Sequence, residues 1–195
     1  MLGNVRTIWF TVLWIKNGFI GGRPSFIKMK VLDKFSIKNA TWIETGTFKG
    51  ETTAFLAKSA NKVFTIEPDE SLHKKAKKKL AKIKNIQVVF GESEKELKKI
   101  TATLDEDCNF WLDGHYSGEG TYKGTKVFPI NEELIAIESL IKKGRKIAIF
   151  IDDVTFINPI TTPNIEELYL NNIVNWSQKN KFSWTIENDI MILQN

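Results

Sequence analysis

Acidic and small polar residues stand at successive points where a predicted β-strand gives way to a turn. In chain order these points are Glu44-Thr45-Gly46, Glu67-Pro68, Gly91-Glu92-Ser93, Asp113-Gly114-His115 and Asp152-Asp153. Ligands of open α/β sheets bind at the carboxyl ends of the parallel strands. A single acid is more often a surface residue or a helix cap, whereas acids at successive strand ends indicate a binding site.

Residues 44–53 have the composition of a ligand-binding loop between a strand and a helix. Gly46 and Gly50 would let a ligand approach the backbone closely. Thr52 or Thr53 would then help to begin the helix that follows. The sequence therefore predicts a ligand contact at the first strand–helix turn.

Two common phosphate-binding loops do not fit this turn. A P-loop is excluded because three residues, not four, separate the glycines, and Glu51 replaces the lysine. A dinucleotide fingerprint is excluded because Phe48 replaces its middle glycine. The carboxylates of Glu44 and Glu51 suit a ligand that is positively charged and lacks phosphate, such as S-adenosylmethionine (SAM).

The next two strand ends carry acids that suit a nucleoside. Glu67 follows the second strand, 21 residues after Gly46, where a carboxylate can accept protons from both ribose hydroxyls. Glu92 and Ser93 follow the third strand, and a carboxylate there could accept a hydrogen bond from an adenine amino group. The competing interpretation is that these acids cap the helices that follow.

The fourth and fifth strands end in Asp113 and in the pair Asp152-Asp153. If these strands are neighbours, their ends lie about 4.8 Å apart, and the three carboxylates converge. Such convergence is costly unless a cation neutralises it. Oxygen ligands favour Mg²⁺, with Ca²⁺ and Mn²⁺ as alternatives. One of the two adjacent aspartates is expected to cap the next segment, because both cannot point the same way.

His115 lies two residues beyond Asp113, in a Gly-, Tyr- and Thr-rich stretch that ends at Gly124. An imidazole titrates near neutral pH, which suits a general base. We therefore interpret His115 as the base or a substrate contact, and residues 115–124 as a binding loop. His73 and Cys108 are assigned structural roles.

The elements that must position these residues alternate between strand and helix. Apolar strands are predicted at residues 40–44, 62–66, 86–90, 109–112 and 147–151. Helices are predicted at 24–35, 51–58, 130–141 and 166–176 and in the lysine-rich segment after Pro68. Strands 182–186 and 190–193 form a predicted hairpin around Asn188-Asp189. The pattern indicates a doubly wound α/β sheet with helices on both faces.

Composition limits the partners of this chain. Its 195 residues, with 42% hydrophobic residues and a net charge of +5, fit one globular domain (37–195) preceded by an N-terminal arm (1–36). One cysteine and two histidines exclude a disulfide framework and cysteine- or multi-histidine metal sites. The excess positive charge falls in residues 62–99, on a solvated helix face without interleaved aromatics, so a nucleic-acid partner is not expected.

The N-terminal apolar run, residues 8–15, is too short to span a bilayer, which needs about 20 residues. No small-residue cleavage site follows it, so a signal peptide is not predicted. We expect an arm that packs on the domain or joins two copies in a homodimer, and a cytoplasmic location.

Taken in order, these motifs resemble the class I SAM-dependent methyltransferases over residues 40–153. The resemblance implies a Rossmann-like sheet in the order 3-2-1-4-5-7-6, with the hairpin as the last two strands. It matches Glu67 to the ribose acid and Glu92-Ser93 to the adenine contact. The loop residues to which it assigns SAM binding are Glu44, Gly46, Thr47, Phe48, Gly50 and Thr52.

The acids of strands four and five are similar to those of the Mg²⁺-dependent, macrocin-type sugar O-methyltransferases. This similarity implies that Asp113, Asp152 and Asp153 bind the metal, that Asp113 also adjoins the cofactor, and that Asp113 and His115 are catalytic. His115 would replace the acidic base of that group. The implied activity is metal-assisted O-methylation of a sugar, glycan or other small hydroxylated acceptor.

Three alternatives share the fold. A nicotinamide oxidoreductase would lack a use for the acid cluster, and a nucleic-acid methyltransferase would carry an Asn/Asp-Pro-Pro-aromatic motif where Asp113-Gly114-His115 stands. The third is a non-catalytic module that uses its aromatic arm for assembly.

Overall fold

A computed structural model describes residues 5–16, 23–113, 129–157 and 168–195. One seven-stranded sheet organises them, in the order β3-β2-β1-β4-β5-β7-β6. Its strands are β1 (Thr41–Thr45), β2 (Val63–Glu67), β3 (Ile86–Phe90), β4 (Cys108–Leu112), β5 (Ile147–Ile151), β6 (Ser183–Glu187) and β7 (Ile190–Gln194). The first five strands are parallel, and β7 is antiparallel to both β5 and β6. The predicted fold class and strand order are confirmed.

Helices cover both faces of this sheet. They are α1 (Val5–Lys16), α2 (Ser25–Phe35), α3 (Glu51–Leu56), α4 (Glu70–Leu80), α5 (Ser93–Thr103), α6 (Ile130–Lys142) and α7 (Leu168–Lys179), with a short 3-10 helix at Val154–Ile157. In α4, Asp69 caps the first turn by accepting a 2.7 Å hydrogen bond from the Leu72 N–H. The lysines of α4 face outward, because the buried residues of this helix are Ala76 and Leu80.

Every residue of the central strands β1, β2, β4 and β5 is buried, as expected for strands that helices cover on both faces. One core cluster includes Ile43, Phe110 and Ile149 and packs against α5, α6 and α7. The other includes Trp42 and Phe150, whose rings stack with centroids 5.4 Å apart, and packs against α2 and α3. The strand ends are therefore held by a rigid, fully packed scaffold.

Helix α2 belongs to this packed core although it precedes the first strand. Val31 and Leu32 are each 1% exposed, and they join the second cluster. The Asn109 side chain of β4 holds the segment after α2 by two 2.9 Å hydrogen bonds to the backbone N–H and C=O of Ile37. The N-terminal region thus contributes a helix directly to one face of the sheet.

Helix α1 presents an apolar outer face, with Ile8, Trp9, Val12 and Ile15 all more than half exposed. None of the helices in the described ranges is both long enough and apolar enough to cross a bilayer.

The predicted hairpin is confirmed, with its turn at Asn188-Asp189. Both residues have positive φ, 51° and 64°, as the tight turn of a twisted two-stranded hairpin requires. The Asp189 carboxylate accepts hydrogen bonds from Arg23 at 2.7 Å and from the Thr155 hydroxyl and N–H at 2.8 Å each. The turn therefore links the N-terminal region to the segment that follows β5.

Candidate functional site

The strand ends predicted to carry the site lie side by side along one edge of the sheet. Thr45 at the end of β1 pairs with Ile66 of β2 and with Leu112 of β4. Leu112 in turn pairs with Ile151 of β5. Since the four parallel strands end in register, the residues that follow them share one carboxyl edge.

The loop between β1 and α3 is a tight turn built from left-handed residues. Gly46, Phe48 and Gly50 have φ angles of 86°, 46° and 66°. The Gly46 and Thr47 N–H groups donate to the Ile66 carbonyl at 3.0 and 3.2 Å, which anchors the loop on β2. Phe48 adopts positive φ although it is not glycine, and its side chain is 44% exposed. A bulky residue held in this conformation is typical of a functional loop.

Glu67 joins this loop to the end of β2. Its Oε2 accepts a 2.7 Å hydrogen bond from the Phe48 N–H, and its Oε1 accepts a 3.0 Å bond from the Asp69 N–H. Burial raises the pKa of Glu67, and the two backbone bonds oppose that rise. Each carboxylate oxygen keeps a second lone pair, so the group fits a ligand that donates two neighbouring hydroxyl protons.

Glu44 lies beneath the loop rather than on its surface. It is 1% exposed, and its Oε2 accepts hydrogen bonds from the Thr53 and Thr65 hydroxyls at 2.5 and 2.6 Å. The Thr47 hydroxyl lies 2.5 Å from that of Thr65, which extends the network into the loop. Burial raises the pKa of Glu44 to about 7, so near neutral pH it carries only part of a negative charge. Its hydrogen bonds are with these two threonines, and its predicted contact with the cofactor stays a prediction.

The start of α3 differs from the prediction. Gly50 in left-handed conformation is the N-cap, and no side chain caps the helix. Thr52 lies partly exposed in the first turn. Thr53 is fully buried and binds Glu44 instead of the helix terminus. Threonine is a good N-cap residue, which is the basis of the prediction. The buried Glu44 carboxyl needs hydrogen-bond donors, however, and the Thr53 hydroxyl is one of them.

At the end of β3, Glu92 and Ser93 begin α5. Glu92 is partly buried and pairs with Lys95 one turn along the helix. Ser93 is 8% exposed and lies near the buried carboxyl of Glu133 on α6, whose pKa it lowers, as Thr45 does. The two predicted adenine contacts therefore differ, with Glu92 nearer the surface and Ser93 turned toward α6.

Glu133 gives a testable pH dependence. Burial raises its pKa from 4.5 to about 7, against the lowering effect of Ser93 and Thr45. Because the folded state binds this proton more tightly, the contribution of Glu133 to the free energy of unfolding is fully present below pH 4.5 and is lost as the pH rises through about 7. This loss of free energy of unfolding is on the order of 3 kcal/mol, and we expect it to be absent in Glu133→Gln. Urea unfolding of both proteins between pH 4.5 and 8 measures it; equal slopes would contradict the assignment.

At the ends of β4 and β5, the aspartates meet a lysine from α2. Lys28 forms an ion pair with Oδ2 of Asp152, whose side chain is fully buried, and lies 3.5 Å from Oδ1 of Asp153. Burial raises the pKa of Asp113 well above its usual range, the charge of Asp152 raises it further, and Lys28 lowers it. The three predicted metal ligands thus lie close together, with an ammonium group among them.

This arrangement does not fit the predicted Mg²⁺ ion. Within the described ranges, no group of three or more His, Cys, Asp or Glu side chains is arranged to hold a metal. Mg²⁺ needs carboxylate oxygens at 2.0–2.1 Å. Oδ2 of Asp152 is bound to Lys28, while its Oδ1 is buried and has no hydrogen-bond partner among the described residues. Asp153 has a positive φ of 52°, and its Oδ1 lies 3.5 Å from the same Lys28 ammonium group.

His115, predicted as the base, and the binding loop 115–124 lie outside the described residues.

Sequence reasoning missed Lys28, Thr65 and Glu133. Lys28 stands three and four residues before the buried Val31 and Leu32, so its place on the buried stripe of α2 was a usable signal. Thr65 sits inside an apolar strand, and Glu133 lies among the acids of a helix start. Neither pattern distinguishes these residues from ordinary ones.

Comparison with solved structures gives a consistent fold. An O-methyltransferase from Bacillus cereus in complex with S-adenosylhomocysteine (SAH) matches at 15% identity and a TM-score of 0.59, over 100% of this chain and 93% of that one. The chain shares the methyltransferase fold. An rRNA methylase from Streptococcus thermophilus matches at 17% identity and a TM-score of 0.50, over 90% and 96% of the two chains.

The same fold also occurs in a protein with a different activity. Precorrin 8w decarboxylase from Methanobacterium thermoautotrophicum matches at 14% identity and a TM-score of 0.53, over 90% of this chain and 91% of that one. No protein-family model and no curated protein matches the chain. At these identities the likeness establishes the fold, and the activity is argued from the site.

Proposed function

We propose that this chain is a SAM-dependent methyltransferase that methylates a hydroxyl of a sugar, glycan or other small acceptor. The observation that carries the proposal is the hydrogen bond from the Phe48 N–H to Glu67, which brings this carboxylate, proposed to bind the ribose, against the β1–α3 loop. The shared fold supports it, because one matching structure contains SAH.

Different residues would contact the ribose and the adenine of the bound nucleoside. Glu67 would accept the ribose hydroxyl protons with its free lone pairs, while the backbone at Gly46 would let the ligand approach without a side chain in the way. Glu92 would accept from the adenine amino group at the surface of β3. Thr47, Phe48, Gly50 and Thr52 would line or support the loop.

When bound, SAM supplies an electrophilic methyl group on a sulfonium. This group would be transferred to the acceptor hydroxyl oxygen and would leave SAH behind, and His115 would accept the hydroxyl proton. The main contribution of the chain is to align the three reacting atoms and to exclude water. Asp113, between the nucleoside side and Asp152, would orient the acceptor.

Calorimetric titration with SAH, SAM and NAD⁺ tests the proposal. We expect SAM and SAH to bind at one site with dissociation constants of about 1–100 µM, and NAD⁺ to show no saturable heat. Binding of NAD⁺ in preference to SAM would favour the oxidoreductase, and binding of neither would contradict the proposal. Mass spectrometry of the purified protein for retained SAH provides an independent measurement.

A nucleic-acid acceptor is the second candidate. The exposed lysines of α4 and the likeness to an rRNA methylase favour it. RNA binding whose affinity falls steeply with added salt would support this candidate over a small acceptor. The cytoplasmic location and the homodimer through the N-terminal arm stay predictions.

A further inference from the structure

Lys28 occupies an unusual position for a lysine. It lies on the side of α2 that packs on the sheet, one turn before the buried Val31 and Leu32, and its side chain is 24% exposed. A lysine on the packed face of a helix is costly unless its ammonium group meets partners. The partners here are carboxylates at the ends of β4 and β5.

The ammonium group contacts two acids and faces a third. It forms an ion pair with the buried Asp152 and lies 3.5 Å from Asp153 Oδ1. Burial would lower the pKa of Lys28, but the charges of Asp152, Asp113 and Asp153 outweigh it and raise the pKa to about 12. A lysine ammonium group is charged at neutral pH, and its contacts here hold that charge beside the carboxylates of Asp152 and Asp153.

A divalent ion and this lysine would compete for the Asp152 carboxylate, whose Oδ2 already binds the ammonium group. Mg²⁺ bound to Oδ2 of Asp152 would come within a few ångströms of the ammonium group, where two positive charges repel strongly in a buried site. The ammonium group offers three N–H donors and need not shed a tightly held water shell. Geometry and charge thus favour Lys28 over a metal at this point.

We propose that the Lys28 ammonium is the resident cation of the Asp113/Asp152/Asp153 cluster and takes the place of a divalent metal. Lys28 is a positioning residue: it holds the Asp152 carboxylate in one orientation at the edge of the acceptor site. The consequence for catalysis rests on the proposed function. The chain would align the acceptor hydroxyl without a metal, and the base would still accept the hydroxyl proton.

Titration with Mn²⁺, followed by the electron paramagnetic resonance signal of the free ion, tests this directly. We expect wild type to bind no Mn²⁺ up to 1 mM. Lys28→Met keeps the length and apolar stem of the side chain but removes its charge, and we expect it to gain one Mn²⁺ site at least tenfold tighter than any in wild type. Adding Asp152→Asn to this variant should abolish the gained site.

Two variants control for structure and for general charge. Lys28→Arg retains a cation and should bind no Mn²⁺. If Lys28→Met is unstable, this variant distinguishes the effect of the positive charge from the effect of altered folding. Lys30→Met removes an exposed lysine from the same helix and should behave as wild type.

A stoichiometric Mn²⁺ site in wild type that Asp152→Asn removes would overturn the proposal. So would the absence of any new site in a folded Lys28→Met, because the three carboxylates would then form no cation site. SAH titration of the same proteins is read separately. A failure of SAH binding in wild type rejects the proposed function and leaves the metal result interpretable.

Discussion

Glu67→Gln is expected to lower the affinity for SAH about 10- to 100-fold while the protein stays folded. The carboxylate accepts backbone hydrogen bonds from Phe48 and Asp69 at 2.7 and 3.0 Å and keeps lone pairs for the ribose hydroxyls. A glutamine amide has one acceptor oxygen, so its NH₂ group must face one of the two backbone donors. Hydrogen bonds to a charged group contribute about 1.5–3 kcal/mol each, which sets the size of the expected loss.

Calorimetry with SAH measures this loss, and Glu70→Gln is the matched control. Glu70 lies three residues along the chain, is exposed, and pairs with Lys74 on the surface of α4. We expect the control to bind SAH as wild type does. An unchanged affinity in a folded Glu67→Gln protein would mean that the nucleoside does not contact β2, and the proposed function would lose its main support.

Gly50→Ala is expected to lower the free energy of unfolding by about 2–4 kcal/mol. Gly50 has a φ of 66°, and a Cβ there would lie 2.9 Å from Cδ1 of Leu80 on α4. An L-residue with left-handed backbone costs about 1 kcal/mol, and overpacking a filled core adds about 1–3 kcal/mol. Because α4 and the loop would be pushed apart, SAH affinity should fall as well.

Gly144→Ala separates the two contributions. Gly144 also has left-handed backbone, with a φ of 72°, but a Cβ there would meet no atom within 4 Å. We expect this variant to lose about 1 kcal/mol, the conformational cost alone. Urea unfolding of both variants gives the difference. Equal losses would show that Leu80 moves aside without cost and that the loop is not confined by α4.

Much of the fold could be predicted from local patterns. Strands β2, β4 and β5 are recognisable as mainly apolar segments, because helices cover both of their faces. The Asn188-Asp189 turn was recognisable because these residue types tolerate positive φ. The strand order was implied by the family resemblance, which depends on motifs that follow successive strands. The structure confirms this order.

Contacts in the candidate site could be predicted only between residues that directly follow neighbouring strands. Glu67 and the Gly46–Gly50 loop were expected to meet, and they do, because parallel strands in register bring their carboxyl ends together. The hydroxyls that bind Glu44 could not be assigned in advance. Thr53 and Thr65 come from a helix and a neighbouring strand, and only the packing of both against β1 brings them to one carboxyl oxygen.

The cation in the acid cluster could not be identified from local sequence patterns. From the order of residues it followed that Asp113, Asp152 and Asp153 would need a positive charge, because like charges in a buried site repel. Which charge they receive depends on the docking of α2, which places Lys28 against residues 124 and 125 positions away. Strand-end chemistry is local and readable from sequence, whereas pairing between distant elements exists only once apolar burial has fixed their relative positions.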